Sequence, residues 1–156
     1  MNEIYLTHDG YERLRKELEY MKTVKRRELS KAIGDARAHG DISENAEYDA
    51  AKDEQAMNEK KIAVLEDKLS GARIIEHEGL PDDMVLIGAK VKIKDLTSGK
   101  ELTYTVLSEL EADYSQDKIS ITSPVGRGLL GHKENEIVEI KVPEGTLKYK
   151  ILKISR

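Results

Sequence analysis

The 156-residue chain has no cysteine, phenylalanine or tryptophan, only three prolines, and aromatics at 4%. Without cysteine there are no disulfides and no thiolate metal sites. With so few aromatics and 36% charged residues, the material for one large globular core is thin. It suits a long helical pair joined to a small β-rich module. No apolar run approaches the ~20 residues that span a bilayer, and the N-terminus has no apolar region of the signal-peptide kind. No membrane partner and a cytoplasmic location are therefore expected. A net charge of −4 argues against a general nucleic-acid coat and against independent sequence-specific DNA binding.

The charge is unevenly placed. Residues 1–79 hold 14 Lys/Arg and 18 Asp/Glu, whereas residues 80–156 hold 12 of each. A basic belt of Lys22, Lys25, Arg26, Arg27 and Lys31 is interrupted only by Glu28. Further along, Asp35, Asp41, Glu44, Glu47, Asp49, Asp53 and Glu54 face only Arg37 and Lys52.

From about Thr7 to Ala38 there is no proline, and Leu, Lys, Glu, Arg and Ala dominate, which predicts a helix. Leu14, Leu18 and Met21 are spaced four and three apart, and Leu29, Ile33 and Ala36 repeat that spacing, with Lys25 interrupting the stripe. Gly40 is a stop signal. A second helix is predicted from about Ser43 to Ala72, with a seam of Ile62, Leu65, Leu69 and Ala72 that continues backwards through Asn58, Gln55, Ala51 and Tyr48. Folded back about Ile42, the two helices set Leu14 against Ala72, Leu18 against Leu69 and Met21 against Leu65. This is an antiparallel coiled-coil hairpin, packed best at its base and projecting roughly 45–50 Å. Its expected extent is 1–76, with 77–82 as linker.

Residues 83–156 read differently. "GAKVKIKD", "KELTYTVLS", "DKISITS", "EIVEIKVP" and "TLKYKILKIS" alternate as half-buried strands do, with "TSGK" and "PEGT" as turns. "SPVGRGLLGHKENE" supplies a short helix. The predicted fold class is α+β: an N-terminal helical hairpin, then an antiparallel β-sheet domain with one short helix.

The acidic turn "HGDISENAEYDAAKDEQ" has two readings. Asp41 and Glu44 have capping-box spacing, and carboxylates suit the positive end of a helix. Alternatively, both can reach one hard cation such as Mg²⁺, which needs six oxygens. Two carboxylates cannot complete that shell, and a lone His39 adds little. The second reading therefore describes half a metal site, for a partner to complete.

The string "GDARAHGDISENAEYDAAKDEQ" resembles the tip of the bacterial Gre transcript-cleavage factors, and the likeness extends to "LTHDGYERLRKELEYMK" and "SPVGRGLLGHKENEIVEIKVPEGTLKYKILKI". The resemblance implies an FKBP-like second domain that grips bacterial RNA polymerase at the rim of its secondary channel. The coiled coil then threads inward to the nascent RNA 3′ end. On that view Asp41 and Glu44 support a Mg²⁺ ion held jointly with the polymerase, and the isolated chain binds none. Ser43 and Asn45 order the turn or contact the reacting groups. The polymerase is the catalyst and the chain, expected as a monomer, stimulates its cleavage of backtracked RNA. Arg37 and Lys52 either neutralise the acids or contact RNA phosphates, and the Lys22–Lys31 belt is open to the same two readings. Tyr48 is expected to pack on the seam. Ser123 and Pro124 begin the segment to which the resemblance assigns polymerase contact, although a proline there can also simply end a strand. Gly34 and Gly128 stand where the resemblance leads to an expectation of alanine. A channel-binding inhibitor of the same shape and a plain coiled-coil adaptor are the competing functions. An independent hydrolase or prolyl isomerase lacks the residues it would need.

Overall fold

The computed structural model describes residues 4–39, 45–76 and 80–156. They divide into two compact units, one of residues 9–39 and 45–72 and the other of residues 4–8, 73–76 and 80–156. This differs from the expected division at 76 and 83. The reason is a pairing that sequence alone conceals. Strand β1 (Ile4–Leu6) lies beside β2 (Ala72–Ile74) in a two-stranded sheet. The Ile75 N–H donates to the Leu6 carbonyl at 2.8 Å, and the Leu6 side chain is fully buried. Both ends of the hairpin sequence thus terminate in backbone hydrogen bonds that belong to the β unit.

In the first unit, α1 (His8–Tyr20) runs into a π turn (Met21–Lys25) and on into α2 (Arg26–Ala38), with α3 (Ala46–Ser70) packed against the π turn and α2. The predicted first helix is therefore a single helical run with one wide turn in it. Spacing explains the wide turn. Leu14 and Met21 are seven residues apart, but Met21 and Leu29 are eight apart, and all three are buried. An α-helix advances about 100° per residue, so eight residues overshoot two full turns by about 80°. A π turn winds less per residue, absorbs the excess and returns Leu29, Ile33 and Ala36 to the buried side. From α3 come Ala51, Asn58, Ile62, Leu65 and Leu69. The predicted seam positions within the helices face inward, with Leu18, Lys25, Tyr48 and Gln55 half-buried, whereas Ala72 lies beyond α3, in β2.

Asn58 is polar yet only 5% exposed. Its side-chain Nδ2 donates to the Met21 carbonyl at 3.1 Å, where the π turn begins. A side-chain donor reaching into a helical ladder is a recognised companion of such distortions. On the surface nearby, Arg26 forms a two-pronged pair with Glu59 at 2.8 and 3.0 Å, and Lys22 meets Glu66 at 2.8 Å. The Arg26 hydrogen bond holds the Glu59 carboxyl below its ordinary range.

The second unit contains β3 (Lys90–Asp95), β4 (Glu101–Leu107), β5 (Lys118–Ser120), α4 (Pro124–Leu129), β6 (Ile137–Val142) and β7 (Gly145–Ser155). The strands form one sheet in the order β5-β4-β3-β7-β6. The expected antiparallel sheet needs one correction, because β5 pairs parallel with β4, Thr105 opposite Lys118 and Leu107 opposite Ser120. Residues 108–117 are long enough to carry the chain back to the start of β4, which a tight hairpin cannot do. One sheet face supplies Val91, Ile93, Val106, Ile140 and Ile151 to a core closed by Leu129 of α4. Burial holds the Tyr104 and Tyr149 hydroxyls above the usual tyrosine pKa.

The glycines of α4 are packing residues. A Cβ on Gly126 would stand 2.0 Å from the Ser120 carbonyl oxygen, and one on Gly128 would stand 2.6 Å from Ile140 Cγ1. The glycine at 128 thus lets α4 sit down on β6. Gly34 on α2 has open space around it.

Candidate functional site

The end of the hairpin is built from Asn45 outward. Asn45 is the N-cap of α3, in extended backbone geometry, and its side-chain oxygen accepts the Tyr48 N–H at 3.1 Å. Its Nδ2 donates to the Ala36 carbonyl of α2 at 2.5 Å. The same carbonyl accepts the N–H of His39, the C-cap of α2, at 3.2 Å. One side chain therefore satisfies an orphan donor at the start of one helix and binds the last turn of the other. The capping position belongs to Asn45, four residues beyond Asp41, so α3 starts later than the predicted Ser43.

Asp41, Ser43 and Glu44 lie outside the described residues, as do Gly40 and Ile42. Around them, Arg37 holds its guanidinium carbon 5.7 Å from the centroid of the Tyr48 ring, within cation–π range. Tyr48 is half-buried, and Arg37, Lys52, Glu47, Asp49, Asp53 and Glu54 are exposed. Glu47 and Asp49 occupy the first turn of α3, where the helix dipole favours negative charge. Among the described residues no group of three His, Asp or Glu side chains is placed to hold a metal ion.

The second predicted contact segment is on the β unit. Ser123 is the N-cap of α4, its hydroxyl accepting the Gly126 N–H at 3.1 Å and donating to the Ser120 carbonyl at 2.6 Å. Pro124 is exposed at the first position of α4. It therefore starts a helix, where its missing N–H and fixed φ cost nothing, and does not end a strand. Arg127 donates to the Thr122 carbonyl at 2.9 Å, and the Ser120 and Thr122 hydroxyls lie 2.6 Å apart. The segment is a tightly cross-bonded turn that presents Pro124 outward.

Sequence reasoning missed two polar contacts. One is Asn58 on the Met21 carbonyl; the interruption of an apolar seam by asparagine was its only signal. The other is Glu111, 6% exposed, whose carboxylate accepts the Thr7 N–H at 2.9 Å and the Thr7 hydroxyl at 2.5 Å. With the partners 104 positions apart in the sequence, nothing local announces it.

Residues 4–74 match the family described as "Transcription elongation factor, N-terminal", and residues 80–156 match "Transcription elongation factor, GreA/GreB, C-term". The chain is 51% identical over 152 residues to transcription elongation factor GreA of Flavobacterium johnsoniae, covering 97% of this chain and 96% of that one. It is 49% identical over 154 residues to GreA of Acetivibrio thermocellus, covering 99% and 97%. Among solved structures, GreA factor homolog 1 of Thermus thermophilus is 32% identical over 99% of this chain and 100% of that one, with a TM-score of 0.45.

Proposed function

The chain belongs to the GreA/GreB family of transcription elongation factors, and from that premise we propose that it stimulates RNA polymerase to cleave backtracked nascent RNA. One observation supports this reading above the others. Asn45 joins the last turn of α2 to the first turn of α3, so the residues bearing Asp41 and Glu44 fall in the chain between two helices that are held together. The cap of α3 is supplied by the Asn45 side chain.

In this reading the hairpin enters the secondary channel of a bacterial polymerase and delivers the turn to its active centre. Asp41 and Glu44 fit a hard cation by donor type, since Mg²⁺ prefers carboxylate and water oxygens, and two carboxylates leave the remaining positions to the polymerase and water. The ion, when bound, lowers the pKa of a water and offsets charge at the cleaved phosphodiester. The chain's own residues do the positioning. Asn45 orders the turn, with its amide already engaged at both ends. Ser43, between the two acids in the sequence, would add a hydroxyl. Arg37, steadied on Tyr48, and Lys52 are placed to meet RNA phosphates without reading bases. At the other unit, Ser123 fixes the turn that presents Pro124 to the polymerase rim.

The test is a purified bacterial polymerase stalled in a backtracked register on end-labelled RNA, with Mg²⁺, this protein and a polymerase-free control. Release of a short 3′ fragment is expected only when both proteins are present. Asp41→Asn keeps size and removes the charge, so cleavage should fall by at least 100-fold, about 2.7 kcal/mol in barrier terms, with polymerase binding retained. Full activity of that variant would remove Asp41 from the metal-supporting role. Slower RNA extension without any fragment would assign the chain to channel blocking.

A further inference from the structure

Lysine is the commonest residue on the face of the five-stranded sheet opposite its core, beside threonines, Ser155 and the exposed Ile137, which stands opposite Lys150. On β3 the outward residues are Lys90, Lys92 and Lys94, alternating with buried Val91 and Ile93. On β7 they include Lys148, Lys150 and Lys153, and a bulge in the pairing keeps Lys153 on the same side as Lys92. β5 adds Lys118 and β6 adds Lys141 at outward positions. Acids on this face are Glu101 of β4 and Glu139 of β6. Eight of the twelve cations of residues 80–156 thus occupy one surface, and ten of the twelve acids lie elsewhere. The balanced charge of this unit conceals a polar distribution.

Pairing register sharpens the point. Lys92 stands directly opposite Lys153, and Lys94 directly opposite Lys150. Like charges in such positions destabilise a sheet. Relief is partial: Lys92 reaches Glu101 at 3.4 Å and Lys148 reaches Glu139 at 3.7 Å. Among the described residues no carboxylate pairs with Lys90, Lys94, Lys150 or Lys153. Along each strand the same-face side chains repeat about every 6.6–6.8 Å, and strands lie about 4.8 Å apart. The result is an array of cations interleaved with the hydroxyls of Thr103, Thr105 and Ser155.

We propose that this lysine face is a docking surface for the phosphate backbone of duplex DNA, engaged without base recognition. Lysine and threonine contact phosphates and carry no sequence readout. A single strand would call for aromatic stacking platforms, and the two tyrosines of these strands, Tyr104 and Tyr149, turn toward the core. A protein partner would call for Tyr, Trp or Arg anchors in an interface from which lysine is usually depleted, and this face has none. DNA is the natural duplex for a transcription elongation factor, which works beside a template. The surface stands on that family membership and not on the cleavage step, so either can fail alone. Contact of this kind is weak by itself and becomes effective when the protein is already held near the duplex.

The experiment is fluorescence anisotropy of a labelled 20-base-pair DNA duplex with the full chain, from 20 to 200 mM KCl. With about four phosphates engaged, log K should fall with log [salt] at a slope of about −3.6. Lys94→Gln/Lys150→Gln should reduce that slope by nearly 2 and weaken binding about tenfold at 50 mM salt. Its Tm should be unchanged or raised, because a repulsive pair is removed. Lys60→Gln/Lys61→Gln, on exposed positions of α3, should bind as the parent does. Three results would overturn the proposal: no duplex binding at 20 mM KCl, equal loss in both double variants, or single-stranded DNA bound as tightly as duplex. Salt-sensitive self-association in sedimentation, abolished by Lys94→Gln/Lys150→Gln and without DNA binding, would give the face to the acidic turn of a second copy instead.

Discussion

Among the described residues, eleven on the hairpin helices are buried, and one of them, Asn58, has a polar side chain. In the sheet unit, the cluster around Val91, Ile93 and Ile151 is aliphatic apart from Tyr149, and the buried polar residues Ser108, Glu111 and Ser120 lie outside that cluster. The two regions therefore specify geometry differently. A two-helix seam rich in alanine and aliphatic side chains tolerates sliding, since one turn of slip exchanges one apolar contact for another. A polar pin removes that freedom at some cost in stability. In the hairpin the pins are Asn58 on the Met21 carbonyl and Asn45 on the Ala36 carbonyl. A sheet needs no such pin, because a slip of one residue turns its whole apolar set toward water.

The largest effect is expected where packing alone decides. Gly126→Ala would drive a methyl into the Ser120 carbonyl, a backbone atom that cannot rotate away. It should destabilise the sheet unit by about 3 kcal/mol, seen as an earlier urea transition of that unit while the helical signal at 222 nm persists. A shared, unshifted transition would contradict the close packing.

Asn58→Leu should act in the opposite sense on the hairpin. Stability is expected to stay within about 1 kcal/mol of the parent or rise, but the register should loosen. The absence of native cysteine makes this measurable with spin labels on introduced cysteines at the exposed positions Arg27 and Lys60. A single distance in the parent should broaden or split in the variant. An identical narrow distribution would show that apolar packing alone holds the register.

The smallest effect is electrostatic. The Glu59 carboxyl is held below its ordinary value chiefly by its hydrogen bond from Arg26. Its contribution is therefore present above the unfolded value of 4.5 and is lost as pH falls through the lower folded value. Thermal melts of the parent should drop slightly more than those of Glu59→Gln on going from pH 6 to pH 3. Parallel curves would show that this exposed pair adds nothing measurable, the common outcome for surface ion pairs.

The helices and most strands were legible because their signals are periodic and local: the seam through Ile62, Leu65 and Leu69, and the alternation of "KVKIKD". Even the π turn has a trace in the eight-residue gap from Met21 to Leu29. The cap of α3 was misplaced because "DISEN" offers several residues of capping type in a row, and side-chain geometry singles out Asn45. The parallel β4–β5 pair was missed because a three-residue strand carries no direction in its composition.

Sequence by itself determined the two-part architecture, the hairpin seam, the acidic turn with Asp41 and Glu44, and the family. Short-range periodicity and an unbroken motif suffice for those. Tertiary structure decided which lysines stand opposite one another, that Glu111 receives Thr7, that Asn58 reaches Met21 and that Gly126 sits against Ser120. Each of these joins residues through strand register, helix winding or chain return, and those are properties of the folded chain in space that no local stretch of residues encodes.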